Sequence, residues 1–208
     1  MASPYQKKDK SEWKKITQKL INEHPLTEEQ IIKAVLDSWK QIFDSKIGPL
    51  SIGKQIFPTP QIMSNILHEL IPYNISKVAG TDYKIGKTKK EKDIVYKLND
   101  DYSIEVKASS SKNDIYANRS YAQPSSKSDT KNKNGYYIGV NFEKFKLIDK
   151  EEFLPVTTDK KGNIIYPKIT QITFGFLEHT DWLPQTSAKG QQARLTPDAK
   201  KSKMIKIY

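Results

Sequence analysis

Two carboxylates and a lysine pose the first chemical question. Asp93 opens an apolar run, DIVYKL, a polar tip follows, and Glu105-Val106-Lys107 closes the stretch. Apolar residues at alternate positions on both sides of the tip predict a β-hairpin. With the tip at Asn99-Asp100-Asp101, Leu98 faces Tyr102, Val95 faces Glu105 and Asp93 faces Lys107. Successive side chains point to opposite faces of a strand, so Asp93, Val95, Glu105 and Lys107 share one side. Ile94, Tyr96, Ile104 and Val106 share the other, where they can lie on a core. A slip of one residue would undo the arrangement.

Two carboxylates a few ångströms apart raise each other's pKa unless a cation lies between them. Mg²⁺ takes one or two carboxylates, some waters and a phosphate oxygen. The constellation therefore predicts a hard-metal site. A bound divalent ion acidifies its water, and the ammonium of Lys107 offsets charge gathering on a phosphate. Hydrolysis of a phosphodiester is the chemistry that suits these groups. Alternating charges on an exposed strand are ordinary in isolation. The leading Asp, the short hairpin, the shared face and the basic chain give this instance its weight.

The chain's 208 residues carry 35 Lys+Arg against 24 Asp+Glu, a net charge of +11. Such a surplus favours a polyanionic partner, with nucleic acid first. The absence of cysteine excludes disulfides, cysteine-ligated zinc and a cysteine nucleophile. No apolar run approaches the ~18 residues of a membrane span. The opening MASPYQKKDK has no secretory apolar core, so the expected compartment is the cytoplasm. The three histidines lack metal-ligand spacing, and no glycine-rich phosphate loop or nucleophile elbow occurs.

The elements that must position the hairpin follow from periodicity. Trp13, Ile16, Leu20 and Ile21 lie at helical spacing before Pro25. Thr27-Glu28-Glu29-Gln30 is a capping-box pattern, opening a helix that runs through Phe43 to a stop at Gly48-Pro49. A third helix is expected over Gln61 to Ile71, closed by Pro72. Strands are expected at 93–98, 102–108, 136–142, 162–166, 169–177 and 203–208. A long connection rich in Ser, Asn and Lys joins the second to the third, which marks it as functional or disordered. The fold class is α/β (α+β): a mainly helical region over 1–75, then a mixed sheet over 76–208.

Asp93, eleven residues and then Glu105-Val106-Lys107 resembles the PD-(D/E)xK nuclease motif, with Lys92 where a proline usually stands. EKDIVYKLNDDYSIEVKASSSK, NRSYAQ and GYYIGVNFEKF, within residues 60–195, resemble type II restriction endonucleases of that superfamily, in the ScaI-like branch. The resemblance implies a single nuclease domain over 1–208, with a restriction-endonuclease-like mixed β-sheet flanked by helices. It implies a homodimer that cuts double-stranded DNA at a short palindromic site with Mg²⁺, accompanied by a DNA methyltransferase. Asp93 and Glu105 would be metal ligands with the Val106 carbonyl, Lys107 the catalytic lysine, and Glu69 in ILHELI a further acid from the preceding helix.

Candidate DNA contacts follow the hairpin. Ser109, Ser110, Lys112 and Asn113 lead away from it, and Asn118, Arg119, Tyr121 and Gln123 concentrate groups able to bond base edges. A second group is Lys189, Gln191, Gln192 and Arg194. Arg pairs bidentately with guanine and Asn or Gln with adenine, whereas Ser and Lys more often hold phosphates. Two alternatives stay open: a repair or junction-resolving nuclease of the same superfamily, and a basic DNA-binding protein without catalysis.

Overall fold

The computed structural model describes residues 3–124, 131–149, 154–155, 158–187 and 190–208. Three helices come first: α1 (Trp13–Asn22), α2 (Glu28–Asp44) and α3 (Pro60–Val78). The capping box forms as the sequence predicts, with Thr27 accepting from the Gln30 amide and Gln30 returning a bond to the Thr27 amide. Two departures concern helix ends. Helix α2 stops at Asp44, and Gly48-Pro49 instead turns a small hairpin, β1 (Lys46–Ile47) and β2 (Leu50–Ser51). Helix α3 runs through Pro72 to Val78. A proline inside a helix costs about 3 kcal/mol. Buried Ile71 and Ile75, each contributing about 1.5–3 kcal/mol, offset that cost and carry the helix onward.

The remaining strands are β3 (Tyr83–Ile85), β4 (Ile94–Tyr96), β5 (Ile104–Ser109), β6 (Tyr116–Asn118), β7 (Gly135–Phe142), β8 (Leu147–Asp149), β9 (Leu154–Pro155), β10 (Ile169–Leu177), β11 (Trp182–Pro184), β12 (Gln192–Leu195) and β13 (Met204–Lys206). A short helix, α4 (Pro197–Ser202), precedes the last. The expected strand at 162–166 does not form: Asp159 draws the Lys161 and Asn163 amides into a turn, leaving Ile164 a lone bridge to Thr158.

A six-stranded mixed sheet in the order β13-β10-β7-β5-β4-β3 is the centre. Its one parallel pairing joins β5 to β7. Strand β7 shows why both faces are covered. Tyr136, Ile138, Val140 and Phe142 join the core beneath the three helices. Tyr137 points the other way, into a second core with Tyr121, Trp182, Ala193, Leu195 and Ala199. That second core lies under a three-stranded sheet, β11-β12-β6, and α4. Strand β6 and a 3-10 turn at Arg119–Ala122 thus give structure to part of the long polar connection.

Candidate active site

The predicted hairpin exists, with its pairing displaced. Ile94 lies opposite Ile104, so partner numbers sum to 198, and that register carried on by one residue would bring Asp93 towards Glu105 instead of Lys107. The tip accounts for the displacement. Asn99 caps a 3-10 turn at Asp100–Tyr102, and Ser103 Oγ bonds both Asp100 and the Tyr96 amide. This turn takes up more chain than a three-residue tip. A shift of two keeps every side chain on its expected face: Ile94, Ile104 and Val106 are buried on the helical core.

Strand β4 begins at Ile94, so beyond Ile104 the edge of β5 has no strand beside it. Asp93 folds across this opening, its Oδ2 accepting the Val106 amide at 2.7 Å. Within a strand the N–H and C=O of one residue turn to the same neighbour, so the Val106 carbonyl also faces the opening. Helix α3 closes the far side, where Ser64 donates to the Ala108 carbonyl at 3.0 Å.

The ionised groups meet there. Glu105 Oε1 accepts from Lys107 Nζ at 2.7 Å and from the Tyr121 hydroxyl at 2.5 Å. Glu105 Oε2 is buried and pairs with the Lys131 ammonium at 2.6 Å. The same ammonium is 3.6 Å from Asp93 Oδ1, and His68 Nδ1 is 3.6 Å from Asp93 Oδ2. Burial works to raise the pKa of the Asp93 carboxyl. The His68 ring and the Lys107 and Lys131 ammoniums outweigh it and hold Asp93 well below the usual carboxylate range. Burial, then the Glu105 charge, push the Tyr121 phenol far up, so it stays a donor.

This donor set fits a hard divalent cation. A positive group already sits between the two carboxylates in the form of Lys131, 2.6 Å from Glu105 Oε2 and 3.6 Å from Asp93 Oδ1. Among the described residues no group of three or more His, Cys, Asp or Glu side chains gathers to hold a metal. The other ligands would have to be a backbone carbonyl, water and a substrate phosphate, the mixture that Mg²⁺ accepts.

Beside Lys107 opens a cleft of about 510 Å³ between α3 and β6. Ser109, Ser110, Asn118 and Gln192 line it with His68. Asn118 and Gln192 are register partners across β6 and β12, and Arg194 is paired with Tyr116 next to them. Lys112, Asn113, Gln123, Gln191 and Arg194 are exposed, while Ser109 is mostly buried and turns its Oγ to the Ser111 amide. The Arg119 guanidinium rests on the Gly190 carbonyl at 3.5 Å. Tyr121, expected on DNA, points inward to Glu105, because the 3-10 turn after Asn118 packs its ring on Trp182. Lys189 lies outside the described residues.

The family model described as ScaI restriction endonuclease matches residues 3–208. The chain belongs to the ScaI restriction endonuclease family. It is 38% identical over 207 residues to the type II restriction enzyme ScaI of Streptomyces caespitosus, covering 99% of this chain and 85% of that one. No solved structure matches it.

In this member of the ScaI family, Lys92 stands where the resembled motif usually has proline. Its side chain is buried, donates to the Asn134 carbonyl at 3.0 Å and passes so close to Gly135 that a Cβ there would collide with Nζ. Burial lowers its pKa to about 8. The structure brings His68, not Glu69, to Asp93. Glu69 is exposed, since one residue along a helix turns the side chain by about 100°. Gln61, Ser64, Asn65 and His68 form one polar helical face on the cleft. That face was readable from its spacing; Lys131 carried no signal in the sequence. We expect Glu69→Gln to leave DNA cleavage within about 2-fold of wild type and His68→Ala to lower it about 10-fold, the scale of one polar contact. Steady-state cleavage of the same duplex by both variants checks this, and the reverse order would restore Glu69 to the site.

Proposed function

We propose that this chain hydrolyses phosphodiester bonds of double-stranded DNA at one short palindromic sequence, with Mg²⁺ held by Asp93, Glu105 and the Val106 carbonyl. The carrying observation is the meeting of Asp93, Glu105 and Lys107 at an open strand edge, in a chain of this family. A divalent ion there supplies Lewis-acid stabilisation of the phosphate and lowers the pKa of a water. The chain's own groups do the rest. Asp93 and Glu105 gather the positive charge, and Lys107 faces the cleft where a non-bridging phosphate oxygen would lie. Its ammonium then meets negative charge as it builds in the transition state. Water gives up a proton to solvent as it adds at phosphorus in line, and the P–O3′ bond breaks with a solvent proton going to the leaving oxygen. The polar face of α3 and the exposed face of β6–β12 form opposite walls for the duplex. A two-fold dimer would match a palindrome, since symmetry in the protein mirrors symmetry in the site. A companion methyltransferase would protect that sequence in the host.

Digestion of a large sequenced DNA with Mg²⁺, followed by mapping of every end, tests this. All ends should fall within one short palindrome, and chelation should stop the reaction. Ends scattered without sequence preference, or cutting confined to branched substrates, would instead establish a repair or junction-resolving nuclease.

A further inference from the structure

Tyr121 occupies an unexpected position. Its side chain is almost fully buried, and its hydroxyl joins two groups of the candidate active site. It donates to Glu105 Oε1 at 2.5 Å and accepts from Lys107 Nζ at 3.3 Å. The Lys107 ammonium also lies 4.6 Å from the centre of the Tyr121 ring. With Oε1 held by Tyr121 and Lys107, Oε2 is the oxygen left facing the Lys131 ammonium, 2.6 Å away.

The other end of this residue's environment is the small sheet. Tyr121 sits in the 3-10 turn that begins one residue after β6. That turn is pinned from two sides: the Arg119 amide donates to the Gln191 carbonyl at 2.7 Å, and Lys133 Nζ donates to the Ser120 carbonyl at 2.8 Å. The Tyr121 ring packs on Trp182 of β11 with centroids 5.8 Å apart. Asn118 and Gln192 form a cross-strand pair on the exposed face of the same sheet, bordering the cleft. Three residues and one hydrogen bond therefore separate Asn118 from the carboxylate of Glu105.

We infer that Tyr121 is a positioning residue that couples seating of the β6–β12 face on DNA to the alignment of Glu105 and Lys107. This rests on the nuclease reading above. The turn is held and the hydroxyl sets both charged groups before any DNA is present, and a face that seats squarely on its cognate bases leaves them so. On a duplex with one wrong base pair the face seats askew and draws β6 and the turn after it out of place, so that Glu105 loses that constraint.

The test uses the full chain, the duplex defined by end mapping, and the same duplex with one base pair changed. Tyr121→Phe keeps the ring and its packing but removes the hydroxyl. On the cognate duplex its kcat should fall about 30-fold with KM within about 2-fold, the pattern of a contact used in the transition state. On the altered duplex the fall should be only about 3-fold, so discrimination drops about 10-fold. Asn118→Ala combined with Tyr121→Phe should cost less than the product of the single effects on cognate kcat, because coupled residues are not additive. Thermal melting, run alongside, fixes an assay temperature at which every variant is folded. Equal losses on both duplexes, or fully multiplicative effects, overturn the coupling. Wild-type protein that cuts no DNA would defeat the nuclease reading before this one is reached.

Discussion

Lys107→Ala should cut the cognate duplex at least ~100-fold more slowly while still binding it. A hundredfold is about 2.7 kcal/mol of transition-state stabilisation, a fair share for one preorganised charge aimed at a phosphoryl group. Binding should weaken less than about 10-fold, because one phosphate contact among many is lost. The substitution also breaks a buried ion pair, Lys107 with Glu105 at 2.7 Å. Breaking such a pair can cost about 3–5 kcal/mol. Here Glu105 keeps the Tyr121 hydroxyl and the Lys131 ammonium, so the loss should be smaller and the protein should remain folded. Three measurements separate the effects: single-turnover cleavage with Mg²⁺, duplex binding by fluorescence anisotropy with Ca²⁺, and thermal melting. Unchanged cutting by a folded variant would remove Lys107 from the mechanism. Lost binding with normal melting would make it a DNA contact first.

The site was more legible in the sequence than the surroundings that make it work. Alternation along Ile94, Tyr96, Ile104 and Val106 fixed the faces, because a half-buried strand has a period of two whatever its register. The register itself came out two residues away, since a tip such as Asn99-Asp100-Asp101 can close as a short loop or as a capped 3-10 turn. Side-chain bonds from Asn99 and Ser103 decide between these. Local patterns cannot weigh such bonds.

Helix α3 shows the same limit on a larger scale. Pro72 reads locally as a stop, and only burial of Ile71 and Ile75 keeps the helix going. Glu69 was the acid that the motif suggested, but which side of the helix meets Asp93 depends on how α3 packs on β5. His68 is the residue so placed, at 3.6 Å. Strands β6, β11 and β12 are each three or four residues long, too short to show a period, and β6 meets β12 only across a long sequence separation. Tyr121 was therefore legible as a residue of interest but not as a partner of Glu105.

Asp93→Ala should reduce cleavage below detection, more than about 1,000-fold, and raising Mg²⁺ should not restore it. The residue has two duties that alanine removes together. Its carboxylate is one of the pair that brackets the Lys131 ammonium, and on the proposed mechanism that pair would hold the metal. Its Oδ2 also satisfies the Val106 amide at 2.7 Å, on an edge with no strand to do so. Leaving that amide unpaired costs about 1–3 kcal/mol, from a total stability on the order of 5–15 kcal/mol. The alanine variant should therefore melt lower yet remain folded at 25 °C. Asp93→Asn separates the duties. Its side-chain oxygen can still accept from Val106, so melting should recover most of the loss, but a neutral amide is a poor ligand for Mg²⁺ and cleavage should stay below about 1% of wild type. Cleavage returning with the melting temperature would make Asp93 a brace for β5 and nothing more. Glu105 would then stand alone as the carboxylate at the open edge, and the case for a shared cation would fail with it.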